Sequence, residues 1–276
     1  MAVLSAVPRA DFAPFDALAE VYDEVFTHTP VGRAQREIVQ LEMNRSFRQG
    51  QRILEINCGT GADAIYLASR GLRVVACDES PEMIRIARLR AKETGTEKQI
   101  EFMVLKIESV SSLAQGKPFD GLLSNFGGLN CVQDLAATAH DLALVLKPGA
   151  KALLNVFSRF CAWETFWYLL HRNSRNAFRR FRSEITAGLA NGVSVRIYYH
   201  SLRRFKQDLS PYFRIKKRRG VGIVVPPSYL NDYAVRFVPF LNFAKGFDRA
   251  VCGLPMFRSV ADHTLMVFER SFVNVQ

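Results

Sequence analysis

Between residues 51 and 157, short apolar runs alternate with segments of helical periodicity. Helical patterns cover Gly61–Ser69 and Asp134–Leu146, and Ser80-Pro81 has the residue types that open a helix. Strands that alternate with helices build βαβ units on a parallel sheet. The pattern therefore predicts a doubly wound α/β core with strands at Arg52–Ile56, Arg73–Cys77, Ile100–Leu105, Phe119–Ser124 and Lys151–Phe157.

The flanking regions divide the chain into three parts. Residues 1–50, mainly helical over Phe12–Met43, predict a lid over the end of the first strand, and residues 51–157 form the core. Residues 158–276 predict a helical cap, with insertions over Ser158 to about Val195 and over Ser228–Val260, together with the final strands of the same sheet. Candidates for those strands are Val193–His200, Phe213–Val225 and His263–Glu269.

Composition narrows the class of protein. The chain has 276 residues, 49% of them hydrophobic, and no apolar run long enough to cross a bilayer. Its first residues lack the features of a signal peptide, so we expect a cytoplasmic protein. Its five cysteines form no C-x-x-C pair, which predicts neither disulfides nor a metal site. The net charge of +11 is uneven, with −3 over residues 1–150 and +14 over the remainder, so the second half is expected to face anions.

The strongest local signal is a buried strand that runs into a glycine-containing turn, Glu55-Ile56-Asn57-Cys58-Gly59-Thr60-Gly61, and then into a helix. Glycine lets the backbone approach a ligand closely, and a helix start offers free N–H groups. Asp78 ends the next strand, where a carboxylate can accept both hydroxyls of a ribose. These features indicate a cofactor that contains a nucleoside.

Two cofactors fit this pattern. Gly59-x-Gly61-x-x-Ala64 followed by Asp78 satisfies the dinucleotide fingerprint, which is weak by itself. A pyrophosphate would be repelled by the carboxylate of Glu55, whereas the ammonium and sulfonium of S-adenosylmethionine would be attracted to it. The sequence therefore favours S-adenosylmethionine.

The same stretch resembles motif I of the class I S-adenosylmethionine-dependent methyltransferases, E/D-x-G-x-G-x-G. The resemblance extends over residues 51–157 and includes Phe119-Asp120-Gly121-Leu122-Leu123-Ser124-Asn125 and Leu146-Lys147-Pro148-Gly149-Ala150. It implies a Rossmann-like, doubly wound, seven-stranded, mostly parallel sheet whose last strand is antiparallel. The cofactor-binding residues that it implies are Glu55, Asn57, Cys58, Gly59, Gly61, Asp78, Glu79, Ile107 and Asn125.

Two positions depart from the family pattern. Asn57 stands in place of the first motif glycine, and asparagine is the residue after glycine that best tolerates left-handed backbone angles. Lys106 stands where the family often carries an acidic residue near the adenine. Contact with the adenine would then fall to Ile107 or to Glu108.

Methyl transfer requires a base only if the acceptor must lose a proton. Because N-terminal helices commonly close over the cofactor in this family, His28 and Tyr22 are the first catalytic candidates. His171 and His200 lie in the region where an acceptor pocket is expected, whereas His140 and His263 are interpreted as structural. No second catalytic motif is present.

The cap predicted for residues 158–276 is rich in aromatic and basic residues. Trp163 and Trp167 lie on one face of an amphipathic helix, which is followed by Arg179, Arg180 and Arg182. The arginines could form a solvated face, contact an anionic membrane surface, or line an acceptor pocket that takes an apolar body with an anionic group.

The sequence thus predicts methylation of a hydrophobic or amphipathic small molecule at an O, N, S or C centre. In that reading Trp163, Trp167, His171 and His200 contact the substrate. An RNA or other nucleic-acid methyltransferase or binding module that uses the basic second half is the alternative.

Overall fold

The computed structural model describes residues 13–189 and 192–273. Nine strands are present in these ranges, and seven of them form one sheet: β1 (Arg52–Ile56), β2 (Arg73–Asp78), β3 (Ile100–Val104), β4 (Phe119–Ser124), β5 (Leu146–Phe157), β8 (Phe213–Val221) and β9 (His263–Arg270). The other two, β6 (Glu184–Gly188) and β7 (Ser194–Tyr198), form a separate antiparallel hairpin.

The large sheet has the order β3-β2-β1-β4-β5-β9-β8. Strands β1 to β5 are parallel, with Leu54 of β1 opposite Val75 of β2 and Leu122 of β4. Strand β9 lies between β5 and β8 and is antiparallel to both, with Leu153 opposite Val267. The predicted seven-stranded, mostly parallel sheet with an antiparallel last strand is confirmed.

Helices cover both faces of the sheet. One core cluster packs α1 (Pro30–Ser46), α2 (Ala62–Ser69) and α3 (Pro81–Glu93) against it, and a second cluster on the opposite face includes α4 (Leu135–Val145) and α7 (Leu202–Leu209). Both faces of the central strands are therefore buried, which explains why their sequences read as continuous apolar runs.

The cap contains more than the helices that the sequence indicates. Its helices are α5 (Ala162–Leu170), α6 (Ser174–Ala177), α8 (Asn231–Ala234), α9 (Val238–Val251) and α10 (Pro255–Arg258). Strand β6 corrects the expectation of a helical cap over Ser158 to about Val195. Strand β7 falls on the strand predicted at Val193–His200, but it pairs with β6 and does not join the large sheet. The four residue pairs from Ile185–Ile197 to Gly188–Ser194 alternate in burial, so one face packs inward and the other meets solvent.

The N-terminal segment packs over the glycine loop. It contains a 3-10 helix, Pro14–Leu18, and a π-helical turn, Asp23–Thr27. Asp23 accepts a hydrogen bond from Thr60 Oγ1 at 2.7 Å and pairs with Arg90 at 2.9 Å. The two contacts thus attach this segment to the turn that follows β1 and to α3. The part of the predicted lid in residues 1–12 lies outside the described residues.

Candidate active site

A cavity of about 550 Å³ lies at the edge of the sheet where the parallel strands end. Its floor is built by the residues that follow β1, β2, β4 and β5, because parallel strands present their carboxyl ends at one edge. Strand β9 is antiparallel, so its first residue, His263, reaches the same edge. The N-terminal segment and the β6–β7 hairpin supply the walls.

The glycine loop after β1 has left-handed backbone angles at three positions. Asn57 has φ of 56°, Gly59 of 54° and Gly61 of 75°. Asn57 and Gly59 line the cavity. Gly61 instead packs against α3, where a Cβ would lie 2.9 Å from that of Ala87, so the two glycines have different roles. A Cβ on Gly128 would meet Asn57 at 2.5 Å, so the loops after β1 and β4 are in direct contact.

Asp78 lies beside this loop with both carboxylate oxygens hydrogen-bonded to the backbone. Oδ2 accepts from Gly59 N at 2.8 Å, and Oδ1 accepts from Ser80 N at 3.0 Å. Burial raises the pKa of Asp78 to about 6, although these two N–H groups oppose the shift. Each oxygen keeps a lone pair that could accept a hydroxyl. Glu79 lines the same part of the cavity.

A buried polar network lies behind the floor. Asp63 accepts a hydrogen bond from Arg36 Nη1 and another, at 2.7 Å, from Asn125 Nδ2. Asn125 in turn accepts from Asn155 Nδ2 at 2.8 Å. These contacts fix the orientation of Asn125, which lines the cavity.

Around the same network, several buried oxygen atoms accept no hydrogen bond from any residue in the described ranges. Glu55 is 2% exposed, and burial together with the charge of Asp63 raises its pKa well above the ordinary value. Several buried oxygens have no hydrogen-bond partner among the described residues, which is costly unless a donor is supplied. They are Glu55 Oε2, Asn57 Oδ1, Asp63 Oδ1, Ser124 Oγ and Asn155 Oδ1.

The cap side of the cavity is apolar. Phe157 and Phe126 form part of the wall, and the β6–β7 hairpin covers them with four buried or half-buried aliphatic side chains. These are Ile185, Ala187, Val195 and Ile197. The cavity thus joins a polar end at the glycine loop to an apolar end at the cap.

Arginines line the apolar end, but carboxylates pair with them. Glu164 accepts two hydrogen bonds from Arg179 and two from Arg180, all between 2.8 and 3.0 Å. Arg180 Nη2 also binds Asp262 Oδ1 at 2.7 Å. Arg182 is exposed and outside the cavity lining. Two guanidinium groups face two carboxylates, so this cluster adds little net charge to the pocket.

Some of the sequence-predicted site residues converge on the cavity. Those that line it are Tyr22, Asn57, Gly59, Asp78, Glu79 and Asn125. Tyr22 lies over Gly59, and burial raises the pKa of Tyr22 to about 12, so its hydroxyl stays protonated at neutral pH. Glu55, Cys58, Gly61 and Ile107 lie in the layer beneath.

Other candidates lie elsewhere. His28 and His171 are exposed, and His171 packs on Trp167 at a ring distance of 4.3 Å. Trp163 donates its Nε1–H to Val224 O at 2.9 Å, which places it in the cap interior. His200 Nε2 lies 2.7 Å from Val132 O, and burial lowers its pKa. These five residues are outside the lining of the cavity.

Sequence reasoning missed His263, Tyr199, Tyr229 and the hairpin, all of which line the cavity. A signal for His263 was present, since an antiparallel last strand that begins there must start at the edge where the parallel strands end. In the described residues no group of three or more His, Cys, Asp or Glu side chains could hold a metal ion. No helix there has the length and apolarity needed to span a membrane.

Residues 53–149 match the model of a methyltransferase domain family. The chain is 34% identical over 113 residues to the ubiquinone biosynthesis O-methyltransferase of Xylella fastidiosa strain 9a5c, which covers 41% of this chain and 44% of that protein. The chain thus spans less than half the length of this curated relative.

Solved structures share the fold over almost the full chain. The [4+2]-cyclase SpnF has a TM-score of 0.61 at 15% identity, covering 93% of this chain and 94% of its own. A complex of DhpI with SAH has a TM-score of 0.58 at 15% identity, covering 94% of each chain. At such identities these likenesses establish the architecture, and the reaction must be argued from the site.

Proposed function

Because the chain belongs to the class I S-adenosylmethionine-dependent methyltransferase family through its domain at residues 53–149, we propose that it transfers a methyl group from S-adenosylmethionine to a partly apolar small molecule. The observation that carries the proposal is that one continuous cavity joins a polar, glycine-lined end to an apolar end under the cap. Such a cavity can hold a cofactor and an acceptor side by side.

The polar end fits the cofactor chemically. Asp78 retains lone pairs for a ribose diol, and the unpartnered oxygens around Glu55, Asn57 and Asp63 need donors. An ammonium group supplies three donors and a positive charge. A pyrophosphate supplies only acceptors, so it cannot satisfy these oxygens, and the carboxylate of Asp78 would repel its negative charge. The bound cofactor would supply an electrophilic methyl group on a sulfonium.

The protein's part in the transfer is positioning and exclusion of water. Tyr22 and Phe26 pack over the glycine loop and toward Phe126, with Phe26 and Phe126 4.8 Å apart. The apolar hairpin closes the other side. Alignment of two reacting groups in a dry site supplies much of the rate acceleration in a displacement reaction.

The acceptor class follows from the lining. Aromatic and aliphatic side chains at the cap end favour a flat, partly apolar molecule. Because Glu164 and Asp262 pair with Arg179 and Arg180, an anionic group on the acceptor is not favoured there. Ion pairs also form in the basic run of residues 216–219: Lys216 with Glu269, and Lys217 and Arg219 with Glu42. This pairing favours the small molecule over a nucleic acid.

The test uses cofactor carrying a tritiated methyl group and a panel of hydroxylated aromatic compounds, with label counted in the organic extract. In Ile197→Lys a charge enters the apolar end of the cavity, so we expect transfer to fall at least about tenfold while S-adenosylhomocysteine still binds. Thr186→Lys places the same charge on the outer, exposed side of the hairpin and should leave transfer unchanged. Equal transfer by both variants would contradict an acceptor site under the hairpin.

The cap's outer surface supports a second proposal, peripheral contact with an anionic membrane. Phe166 and Leu170 on α5 are each 65% exposed, Phe243 on α9 is 63% exposed, and Arg172 and Arg175 follow α5. Apolar side chains flanked by arginines suit an interface with acidic lipids.

Vesicle sedimentation tests this contact. The protein should pellet with vesicles containing phosphatidylserine and not with phosphatidylcholine vesicles. Phe166→Ser together with Leu170→Ser should abolish pelleting, whereas Met256→Ser, at an exposed position on α10, should not. Pelleting that survives the double substitution would place the contact elsewhere.

A further inference from the structure

His263 and Asp262 form a pair at the apolar end of the cavity that the reaction described above does not use. His263 is the first residue of β9 and is 4% exposed. Its ring stacks on Phe157 at 4.7 Å and meets the edge of Phe126 at 5.5 Å. All five histidines of the chain lie in the described residues, and His263 alone among them lines the cavity.

The carboxylate of Asp262 is held beside this ring. Asp262 Oδ2 lies 3.3 Å from His263 Nδ1 and accepts a hydrogen bond from Gln35 Nε2 at 3.2 Å. Its other oxygen binds Arg180, which Glu164 holds in turn. The carboxylate therefore has little freedom to rotate away from the imidazole.

The charges around Asp262 keep it ionised. Burial alone would raise the pKa of Asp262, but His263 and Arg180 together hold it well below its usual range. Nδ1 is buried beside Asp262, which leaves Nε2 as the ring nitrogen that can exchange a proton with the cavity. Nδ1 makes no hydrogen bond to the described residues, so its contact with Asp262 at 3.3 Å is an ion-pair contact.

We infer that His263 is the general base for an acceptor that carries a hydroxyl, with Asp262 as its positioning residue; this rests on the proposed function. As the acceptor oxygen bonds to the methyl carbon, the carbon–sulfur bond breaks and its electron pair stays on sulfur, giving a neutral thioether. The hydroxyl proton passes to Nε2, and Asp262 balances the charge of the imidazolium. A phenol with a pKa of about 10 needs such a base at neutral pH.

The other candidate bases are less suitable. The Tyr22 hydroxyl stays protonated at neutral pH, and burial raises the pKa of the Cys131 thiol in the cavity wall to about 12. The charged and titratable groups that face His263 from neighbouring elements are Asp262, Arg180, Arg179, Tyr199, Tyr229 and, across Phe126, Arg36. Of these, Asp262 is the carboxylate.

A chromogenic phenol tests the inference without knowledge of the natural acceptor. 4-Nitrophenol and 4-nitrocatechol turn yellow when they ionise, and each is titrated against the complex with S-adenosylhomocysteine. In the unmodified protein we expect the pKa of at least one bound probe to fall by about one unit or more, as a neighbouring imidazolium produces. His263→Gln should abolish the shift, and His140→Asn, on α4 outside the cavity, should preserve it.

Two further measurements report on the integrity of the cofactor end and on the position of the transferred proton. If His263→Gln still binds S-adenosylhomocysteine, its cofactor end is intact. If neither the unmodified protein nor the variants bind S-adenosylhomocysteine, the proposed function is refuted instead. In protein with ¹⁵N-labelled imidazoles, the His263 nitrogens should move to imidazolium values when the probe binds, and less so in Asp262→Asn. No colour change with either probe, or unchanged nitrogen signals, would overturn the inference.

Discussion

Glu55 is a buried side chain that favours ligand binding and lowers the stability of the ligand-free protein. Its Oε2 has no partner among the described residues, and two further carboxylates, Asp63 and Asp78, influence its ionisation. An unsatisfied buried polar group costs about 1–3 kcal/mol. Natural proteins keep such a cost mainly where a ligand removes it.

Glu55→Gln should therefore stabilise the ligand-free protein and weaken cofactor binding. Loss of the buried charge is expected to raise the free energy of unfolding by about 1 kcal/mol at pH 8. The same change removes attraction for an ammonium group, so S-adenosylmethionine should bind about tenfold more weakly. Thermal unfolding and calorimetry check the two effects, and a variant that is less stable yet binds normally would refute this role for Glu55.

Asp78 gives cofactor binding a pH dependence. With its pKa raised to about 6 by burial, it gains a proton as the pH falls below 6 and can then accept fewer hydrogen bonds from a ribose. The ionised form binds, so protons compete with the ligand. Affinity for S-adenosylhomocysteine should fall toward tenfold per pH unit below about 6 and stay level above 7. In Asp78→Asn this pH dependence of the affinity should disappear. If the variant shows the same slope, the pH dependence belongs to another group.

The N-cap residues of α3 and α4 differ in the other contacts that they make. Ser80 caps α3 by accepting from Met83 N at 3.1 Å, and its hydroxyl also donates to Asp16 of the N-terminal segment. Asp134 caps α4 by accepting from the backbone N–H groups of Ala136 and Ala137, both at 3.0 Å. Only the first cap joins the segment that covers the cavity to the sheet.

Each cap substituted by alanine should cost about 1 kcal/mol of stability. Ser80→Ala should in addition weaken binding of S-adenosylhomocysteine several-fold, because the segment carrying Tyr22 loses an anchor. Asp134→Ala is the matched control and should bind normally. Denaturant unfolding and calorimetry on both variants check this. Equal affinities would show that the Asp16 contact does not help to hold the lid.

The elements of the core were predictable, whereas those of the cap were predictable only in part, through the amphipathic helix that became α5. The apolar runs located β1 to β5 because strands buried on both faces need apolar residues at successive positions. Strand β6 is short and half-exposed, and its pattern was hidden among arginines and aromatics, so it was read as part of a helical cap, whereas β7 falls on the strand predicted at Val193–His200. Five of the named site residues at the strand ends reached the cavity, since topology alone places them there.

His263 shows why part of the site was missed. The expected strand His263–Glu269 and its antiparallel direction were both right, and together they place His263 at the active edge. A lone histidine at a strand start carries no local pattern, however, and the Arg180 that binds its neighbour Asp262 comes from 82 positions earlier in the chain. Contacts across such separations depend on the tertiary fold, not on local periodicity.

In the molecule as a whole, charge pairing revises what the composition indicated. The second half carries a net +14, yet Arg179, Arg180, Lys217 and Arg219 are paired with buried Glu164 and Glu42. Net charge describes what a surface can attract only after internal ion pairs are subtracted. Arg172 and Arg175, which follow the apolar surface of α5, are exposed.

The proposed function depends on the binding of S-adenosylmethionine through Asp78 in the cavity at the glycine loop. Calorimetric titration of the unmodified protein, Asp78→Ala and Asp141→Ala with S-adenosylhomocysteine and with NAD tests it most directly. Asp141 is a carboxylate on α4 outside the cavity and serves as the control.

We predict that S-adenosylhomocysteine binds the unmodified protein and Asp141→Ala equally, and more tightly than NAD. Loss of charge-assisted hydrogen bonds should weaken binding to Asp78→Ala by about tenfold to a hundredfold. Tighter binding of NAD, or an affinity for S-adenosylhomocysteine that Asp78→Ala leaves untouched, would contradict the account.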